Sequence, residues 1–556
     1  MEGFPGRKHA PLFAIRRPDL SMHEPTTSPD QPIVHPAHPA WRFVCGPWLL
    51  SIVLFVFCLA LDTRNNTFPY TYHPDEKGKG IQVIKRDRNF HHPLLMLTVT
   101  DLATRIGFIP RDLQNVVQTG RWVTASFAAG SAVALALLAY FAYGILAGWA
   151  VGAVLALELD LFKTAHYMKE DPVLMFGLAL SLLAAHLWWR KPGRKSLRFL
   201  AIACALAAAG KYLGIVTLFF AIPMVLRRPI PDQPPAAKPR LKQFALWFCL
   251  TFLICNTPIM VRQLSSPFRS IKNEMTGIAG GHHGLTRKVP HANYLNDLRY
   301  GIPRPIFIMA AIYLLLLLVT ARRRRVDEWL LLIFPFLYLV MLSFSPKIAD
   351  RYLLPVTVLL TFVSALGVVE LARLLGSREY PGHAIVSFLV LAGGAGWLVS
   401  AELPPYRETF EGYKSDDPGE LVKWVTANLP LTAVIAEDHR VNLSLSKADG
   451  VSKDKRVPQT VLDSDYAADL TKNGTLDELR AKGVTHVALA KPTYGRFIGR
   501  ELEPRDEEKK FYDKRKAFYE QVLHDGELVK AWPRGKITYL QPGLELFRIA
   551  PEKPQP

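Results

Sequence analysis

The chain has 556 residues, of which 50% are hydrophobic and 21% are charged, and its formal net charge is +19. Its mean hydropathy is +0.12, which is high for a chain with so many charged residues. This combination indicates apolar blocks that alternate with charged segments, as in a polytopic membrane protein with a soluble part. The cations cluster in short loops between apolar segments, which favours a role in membrane topology and argues against nucleic-acid binding.

The N-terminal segment, residues 1–41, is rich in Pro, His and Arg and has no apolar core. We therefore expect a disordered cytoplasmic tail and not a cleavable signal peptide. The five cysteines all lie in or beside apolar segments. Their spacing indicates neither a disulfide framework nor a zinc site.

About eleven membrane helices are expected, because a bilayer core of about 30 Å requires roughly 20 apolar residues per crossing. The segment 199–226 has basic residues at both ends, so we interpret it as a hairpin of two short helices with Lys211 at the turn. An amphipathic piece at residues 94–102 is expected to lie along the membrane interface. The expected spans cover residues 47–61, 121–143, 146–162, 172–189, the hairpin 199–226, 244–260, 305–320, 329–344, 352–375 and 384–403.

The basic loops predict the orientation of the chain. With the tail inside, the basic segments 190–198, 227–242, 322–325 and 373–378 all fall on the cytoplasmic face, as the positive-inside rule requires. We therefore expect a multi-pass protein of the plasma (inner) membrane with a cytoplasmic N-terminus. The remaining loops and the C-terminal region lie outside in this arrangement.

The composition changes after residue 403. Helix signals, such as the Pro418 that follows two aspartates, alternate with short apolar runs such as His486–Ala490. This alternation predicts a soluble α/β domain. The expected organisation is thus a tail (1–41), a transmembrane domain (42–403) and an extracytoplasmic α/β domain (404–556).

Four loops that are expected on the outer face carry charged and polar residues. The first has Asp75 and Glu76, the second has His166, Glu170 and Asp171, the third has Lys211 and Tyr212, and the fourth has Lys347, Arg351 and Tyr352. A polar loop residue beside a membrane helix is usually only solvated. Four such loops on one face are much less easily explained in that way, and together they indicate one site.

The order of these motifs resembles a known family. An Asp-Glu pair after the first helix, His92-Pro93-Leu94, His166 to Asp171, Gly210-Lys211-Tyr212 and Lys347 to Pro355 together resemble membrane glycosyltransferases of the GT-C fold. The likeness is to the protein O-mannosyltransferase and aminoarabinose-transferase group, family 39 in the broad sense. The chain departs from that pattern in having Lys77 and Lys79 in place of an aromatic run.

The resemblance implies an inverting transfer of a sugar from a polyprenyl-phosphate donor. The acceptor, whether protein, lipid or glycan, stays open, and membrane lipids are the other expected partners. Such a transfer requires a base for the acceptor hydroxyl and a cationic cradle for the departing phosphate. We assign Asp75 as the base, with Glu76 orienting either Asp75 or the acceptor. Asp171 with Glu170 is a second acidic site, which either positions the acceptor or binds a divalent cation.

The cradle is assigned to Lys211, Lys347 and Arg351, because Arg suits bidentate phosphate contact and Lys supplies a point charge. The resemblance also implies substrate binding by His92, His166, Tyr212 and Tyr352. No cofactor is certain. Asp75 and Asp171 leave a divalent cation, Mg²⁺ or Mn²⁺, open, although they would form a sparse cage.

Two other classes of protein are considered. A transporter or lipid flippase would require charged residues inside the spans, and only Glu158 and Asp160 fit that description. A non-catalytic scaffold or sensor would bind through its C-terminal region. The long loop also holds His282, His283 and His291, whose spacing does not support a zinc site.

The topology is testable by cysteine labelling. A single cysteine at Thr475, on a background without exposed cysteines, should react with an impermeant reagent added to intact cells. Labelling that occurs only after the membrane is permeabilised would contradict both the orientation and the external site.

Overall fold

A computed structural model of the protein describes residues 46–86, 92–231, 236–256, 285–287, 290–320, 326–343, 350–376, 382–438, 440–443, 460–462, 470–499, 502–504, 506 and 509–549. The first part of the chain is helical. Its helices are α1 (Pro47–Asp62), α2 (Pro74–Lys85), α3 (Leu95–Ile106), α4 (Leu113–Tyr143), α5 (Ile145–Leu155), α6 (Leu159–Ala165), α7 (Asp171–Arg190), α8 (Arg194–Gly210), α9 (Leu218–Arg227) and α10 (Ala237–Asn256).

The second part continues with five helices and a mixed C-terminal region. The helices are α11 (Pro290–Gly301), α12 (Arg304–Val319), α13 (Val326–Ser343), α14 (Leu354–Leu375) and α15 (His383–Gly412). The C-terminal elements are α16 (Asp417–Asn428), β2 (Val434–Glu437), β3 (Thr460–Leu462), α17 (Leu476–Ala481), β4 (His486–Ala490), α18 (Lys491–Ile498), β5 (Leu502–Pro504), α19 (Lys509–Asp525), β6 (Glu527–Ala531) and β7 (Leu544–Arg548). Strand β1 (Leu285–Arg287) lies earlier in the chain and pairs with β5.

Four helices are long and apolar enough to cross a membrane. They are α4, α7, the helix Arg351–Leu375 that includes α14, and the helix His383–Asn428 that includes α15 and α16. Counting two bent pairs as spans raises the number to six, and three further apolar helices, among them α1, are shorter. These numbers refer to the described residues, and the expected total of eleven stays a prediction.

The expected third span is broken in two. Helices α5 and α6 meet at 62°. At the break, the Glu158 carboxylate accepts a hydrogen bond of 2.6 Å from the Leu161 N–H and thereby caps α6. Asp160 lies 3.7 Å from Lys163. Both acids that could suggest a transporter therefore have local structural partners.

Helix α15 extends beyond the expected end of the last span. The Pro404-Pro405 pair predicts a break, because proline removes a helical hydrogen bond, yet the helix continues to Gly412. The buried face after the prolines explains the continuation, since Tyr406 packs with Phe162 and other aromatic residues. The residue-404 boundary thus falls inside a helix, and the division into domains stays a prediction.

The C-terminal region contains a five-stranded sheet in the order β3-β2-β4-β7-β6. Strand β2 is parallel to β3 and β4, whereas β7 is antiparallel to β4 and β6. Adjacent strand residues point to opposite faces. Ile435 packs with α16 on one face, and Ala436 packs with α17 and α19 on the other. Helices therefore cover both faces of the sheet.

Small residues allow close packing of α7 and α8. A Cβ atom placed on Gly177 of α7 would lie only 2.3 Å from the backbone of Ala207 in α8. This approach matters for the site, because α7 begins with Asp171 and α8 ends beside Lys211. The spacing of the two helices fixes the distance between those side chains.

We predict that Gly177→Ala destabilises the protein by about 1–3 kcal/mol, because the added methyl group overpacks the contact. The melting temperature of the purified protein in detergent measures this. Gly396→Ala is the matched control, since its Cβ would meet no atom within 4 Å in α15. The control should be neutral or slightly stabilising, and equal behaviour of the two variants would contradict the packing account.

Candidate active site

The residues Tyr72–Glu76 do not form an irregular loop, as the sequence analysis assumed, but lead into the first turn of α2. His73 is the N-cap, and its Nδ1 accepts a hydrogen bond of 3.2 Å from the Asp75 N–H. Pro74 occupies the first helical position, and Asp75 and Glu76 lie near the positive end of the helix dipole. The acidic pair is therefore held on a rigid element.

Arg351 connects the two acidic sites. Its Nη2 lies 3.9 Å from Asp75 Oδ2, and its Nε lies 3.9 Å from Asp171 Oδ2. Arg351 belongs to the 3-10 turn Asp350–Leu353 before α14, whereas the two aspartates begin α2 and α7. Three distant parts of the chain thus meet at one guanidinium.

Further cations contact the same acids. Lys169 pairs with Asp75, and Lys79 pairs with Glu170. Lys211 Nζ lies 2.8 Å from Asp171 Oδ1, at the C-cap of α8. We call this set the charge cluster; its members are Asp75, Lys79, Lys169, Glu170, Asp171, Lys211 and Arg351.

Exposure differs strongly within the charge cluster. The side chain of Asp75 is 42% exposed and that of Arg351 is 31% exposed, whereas Asp171 and Glu170 are each only 6% exposed. Lys211 is intermediate at 19%. The accessible side of the cluster is therefore formed by Asp75, Arg351 and Lys211. The other members are more buried and support this side from the protein interior.

Lys79 and Lys169 have no assigned role in the sequence analysis, although both are buried members of the cluster. Burial lowers the pKa of Lys79 to about 7; Asp171 raises that pKa, while the nearby Arg351 and Lys211 lower it further. The charge of Lys79 therefore depends on pH near neutrality. The sequence contains two signals for these roles. Lys79 lies four residues after Asp75, on the same face of α2, and Lys169 directly precedes Glu170.

Glu76 is fully buried and paired with Arg121 of α4. Arg121 donates from Nε to Oε1 at 2.9 Å and from Nη2 to Oε2 at 2.6 Å. The Met168 N–H also donates to Oε1 at 2.9 Å. Arg121 in turn donates to the Asn66 carbonyl and stacks on the Phe68 ring. These contacts support a positioning role for Glu76 and not a direct contact with substrate.

His166 lies inside the protein, which corrects its expected place in a substrate pocket. It is fully buried, its two ring nitrogens lie 2.8 Å from the Phe162 carbonyl and 3.0 Å from the Arg64 carbonyl, and it stacks on Tyr413. Burial lowers the pKa of His166 to about 4, although the two carbonyls oppose that effect. Its contacts connect α6 to the first loop and to the end of α15.

The other expected substrate-binding residues have different positions. Tyr352 lies beside the charge cluster, because Lys211 Nζ is 4.6 Å from its ring centre. Tyr212 follows Lys211 at the start of a 3-10 turn. His92 precedes α3, near the point where the Leu94 N–H donates to Asn256. Lys347, His282 and His283 lie outside the described residues, as does the side chain of His291.

Aromatic residues of the C-terminal half pack against the start of α2. The His73 ring lies 4.4 Å from the Tyr539 ring and 4.8 Å from the Tyr167 ring. Tyr413 stacks with Phe68 and donates a hydrogen bond of 3.1 Å to the Lys163 carbonyl. Sequence spacing gives no signal for these contacts, because the partners are about 90 to 470 residues apart.

Among the described residues, the side chains at this site do not form the ligand set of a divalent cation. Both carboxylates considered for Mg²⁺ or Mn²⁺, Asp75 and Asp171, have Lys or Arg side chains as partners. In the described part of the chain, no group of three or more His, Cys, Asp or Glu has the arrangement of a metal site. The expected hard-cation cage therefore has too few free oxygen ligands.

Comparison with solved structures shows the GT-C fold of membrane glycosyltransferases, which confirms the resemblance at the level of the fold. The crystal structure of ArnT from Cupriavidus metallidurans bound to undecaprenyl phosphate matches with a TM-score of 0.50 at 13% identity, covering 91% of this chain and 99% of ArnT. The apo structure of the same ArnT matches with a TM-score of 0.48 at 14% identity, covering 91% and 98%.

The archaeal oligosaccharyltransferase AglB from Archaeoglobus fulgidus, in complex with an inhibitory peptide and a dolichol-phosphate, gives a TM-score of 0.44 at 10% identity, covering 82% of this chain and 71% of AglB. No protein-family model and no curated protein sequence match the chain.

We predict that Glu76→Gln lowers stability by about 3–5 kcal/mol, because removal of one partner leaves the buried Arg121 charge uncompensated. Thermal unfolding of the purified protein is the measurement. Glu420→Gln is the matched control, since Glu420 pairs with Lys423 on an exposed face. A Glu76→Gln protein as stable as the control would contradict the positioning role.

Proposed function

We propose that the protein is an inverting glycosyltransferase that moves a sugar from a polyprenyl-phosphate donor to an acceptor at the extracytoplasmic face of the membrane. The observation that carries this proposal is the placement of Asp75 and Asp171 on the two sides of Arg351, with Lys211 beside them. A single small region thus offers an accessible carboxylate and accessible cations, as the chemistry requires.

Asp75 is proposed as the general base. In the transfer step, the acceptor hydroxyl oxygen attacks the anomeric carbon and its proton passes to the Asp75 carboxylate. The bond between the anomeric carbon and the phosphate oxygen breaks, and the electron pair leaves with the polyprenyl phosphate. Among the acids of the charge cluster Asp75 is by far the most exposed, which favours it over Asp171 and Glu170.

Arg351 and Lys211 are proposed to hold the donor phosphate. Both are partly exposed, and both lie around the Tyr352 ring, with the Arg351 guanidinium 5.5 Å from the ring centre. A fixed pair of cations stabilises the charge that develops on the leaving phosphate without reorganisation. Asp171 then serves to orient these two cations, because its carboxylate is buried and faces them.

The fold supports a lipid-phosphate donor as the substrate class. The matching ArnT structure holds undecaprenyl phosphate, and the chain follows nearly the whole length of ArnT. We extend this to a polyprenyl-phosphate sugar in the present protein, with the acceptor left open among protein, lipid and glycan. The proposed arrangement is a cytoplasmic tail (1–41), a catalytic membrane domain (42–403) and an external α/β domain (404–556) in the plasma membrane.

The test measures turnover of a lipid-linked sugar and binding of polyprenyl phosphate by purified variants. Asp75→Asn should lower turnover by about 10²–10⁴, because the base is lost, while phosphate binding persists. Arg351→Ala should weaken phosphate binding in addition to lowering turnover. Asp112→Asn is the matched control, since this exposed aspartate caps α4 and asparagine caps equally well.

Near-normal turnover by Asp75→Asn would contradict its assignment as base. Unchanged phosphate binding by Arg351→Ala would contradict the cradle. Asp171→Asn should resemble Arg351→Ala more than Asp75→Asn, because we assign it to the orientation of the cations.

A further inference from the structure

A mainly apolar groove lies at the opposite end of α7 from the charge cluster. Its volume is about 190 Å³, and it is formed where the end of α7, helix α9 and helix α13 meet. We call it the basal groove; its lining residues are Trp189, Phe220, Pro223, Met224, Arg227, Trp329, Leu330 and Ile333.

The length of α7 sets the distance between the basal groove and the charge cluster. Asp171 and Trp189 are separated by 18 residues of α helix, which corresponds to about 27 Å at 1.5 Å per residue. This is close to the thickness of a bilayer core, about 30 Å. In the topology proposed above, on which this inference rests, the basal groove therefore lies at the cytoplasmic membrane interface, opposite the proposed active site. A phosphate held at Lys211 cannot also contact Arg227.

The lining of the basal groove combines aromatic, aliphatic and cationic side chains. Trp189 and Trp329 belong to its wall, and tryptophan is enriched at membrane–water interfaces. Phe220 and Ile333 offer an apolar wall to an alkyl chain. Arg227 also lines the groove, and its side chain is exposed at the end of α9.

A second arginine lies beside the groove. The Arg228 guanidinium lies 5.1 Å from the Trp189 ring centre, and its Nε is buried without a hydrogen-bond partner. Arg240 satisfies the end of α9 by donating to the Val225 and Leu226 carbonyls at 3.2 Å each. Because Arg240 already fills that role, Arg227 and Arg228 are not needed to cap the helix.

We propose that the basal groove binds an anionic phospholipid of the cytoplasmic leaflet, with one acyl chain against Phe220 and Ile333 and the phosphate at Arg227 and Arg228. Charge complementarity selects this occupant. Within the described residues neither arginine has an acidic partner, and basic pockets between membrane helices on this side suit anionic head groups.

The experiment titrates the full-length protein in neutral detergent with phosphatidylglycerol, phosphatidylcholine or undecaprenyl phosphate, and it measures bound lipid by native mass spectrometry. The wild type should retain phosphatidylglycerol in preference to phosphatidylcholine. The double variant Arg227→Gln, Arg228→Gln should bind phosphatidylglycerol about 25-fold more weakly. Each cation near a membrane surface contributes about fivefold to the affinity, and the variant removes two.

The double variant Arg194→Gln, Lys195→Gln is the matched control, because both residues are exposed at the same end of the protein but do not line the groove. Ile333→Trp is the second test, since it fills the groove and leaves every charge in place. It should also reduce retention of phosphatidylglycerol, and the melting temperature of each variant reports its folding.

Three results would overturn the proposal. An equal loss of phosphatidylglycerol affinity in the two double variants would show that the surface charge acts diffusely and not at the groove. Equal retention of phosphatidylcholine and phosphatidylglycerol would show an acyl-chain contact without head-group recognition. The third result concerns undecaprenyl phosphate in the Arg351→Ala protein, whose donor-phosphate cradle is weakened. If undecaprenyl phosphate still displaces phosphatidylglycerol there as in the wild type, and Ile333→Trp retains neither lipid, the groove belongs to the tail of the donor.

Discussion

The buried pair of Glu76 and Arg121 determines how the rest of the site is arranged. Burying two charges has a large desolvation cost, which is offset only when geometry is good and the remaining polar atoms are satisfied. Here both carboxylate oxygens accept from Arg121, and a backbone N–H adds a third bond. The pair thereby fixes α2, α4 and the segment before α7 relative to one another.

Neighbouring residues of a helix do not face the same side, and this separates the roles of the acidic pair. Successive residues differ by about 100° around the helix axis. With Glu76 held inward by Arg121, Asp75 is directed toward Lys169 and Arg351 and stays partly exposed. One residue of the pair thus anchors the helix and the other is available for chemistry, which the sequence Asp-Glu alone does not distinguish.

The fold was predictable where apolar length or local capping decides the structure. The spans around α4 and α7 and the strand His486–Ala490 follow directly from such patterns. The break in the third span was not predicted, since the apolar run from residue 146 to residue 162 indicates one continuous helix. In the structure the second half begins anew at the Glu158 cap.

Within the site, the approach of Asp75, Asp171, Lys211 and Arg351 was expected from the shared membrane face. The partners Lys79, Lys169 and Arg121 were not, because a buried cation and a solvated loop cation look the same in sequence. His166 shows the reverse error: a histidine in a loop beside the site packs inside the protein between two carbonyls.

The charge balance of the cluster agrees with the proposed reaction. Its described members are the four cations Lys79, Lys169, Lys211 and Arg351 and the three carboxylates of Asp75, Glu170 and Asp171. When Lys79 is protonated, which its pKa of about 7 makes dependent on pH near neutrality, the cluster has one excess positive charge. That excess matches the single negative charge of a phosphodiester donor. After transfer, the phosphate monoester carries about −1.5 to −2 at neutral pH. The proton accepted by Asp75 removes one carboxylate charge at the same time, so the cluster gains the positive charge that the leaving phosphate requires. A base next to the cations therefore couples proton capture to stabilisation of the leaving group, which a carboxylate placed away from the cradle would not do.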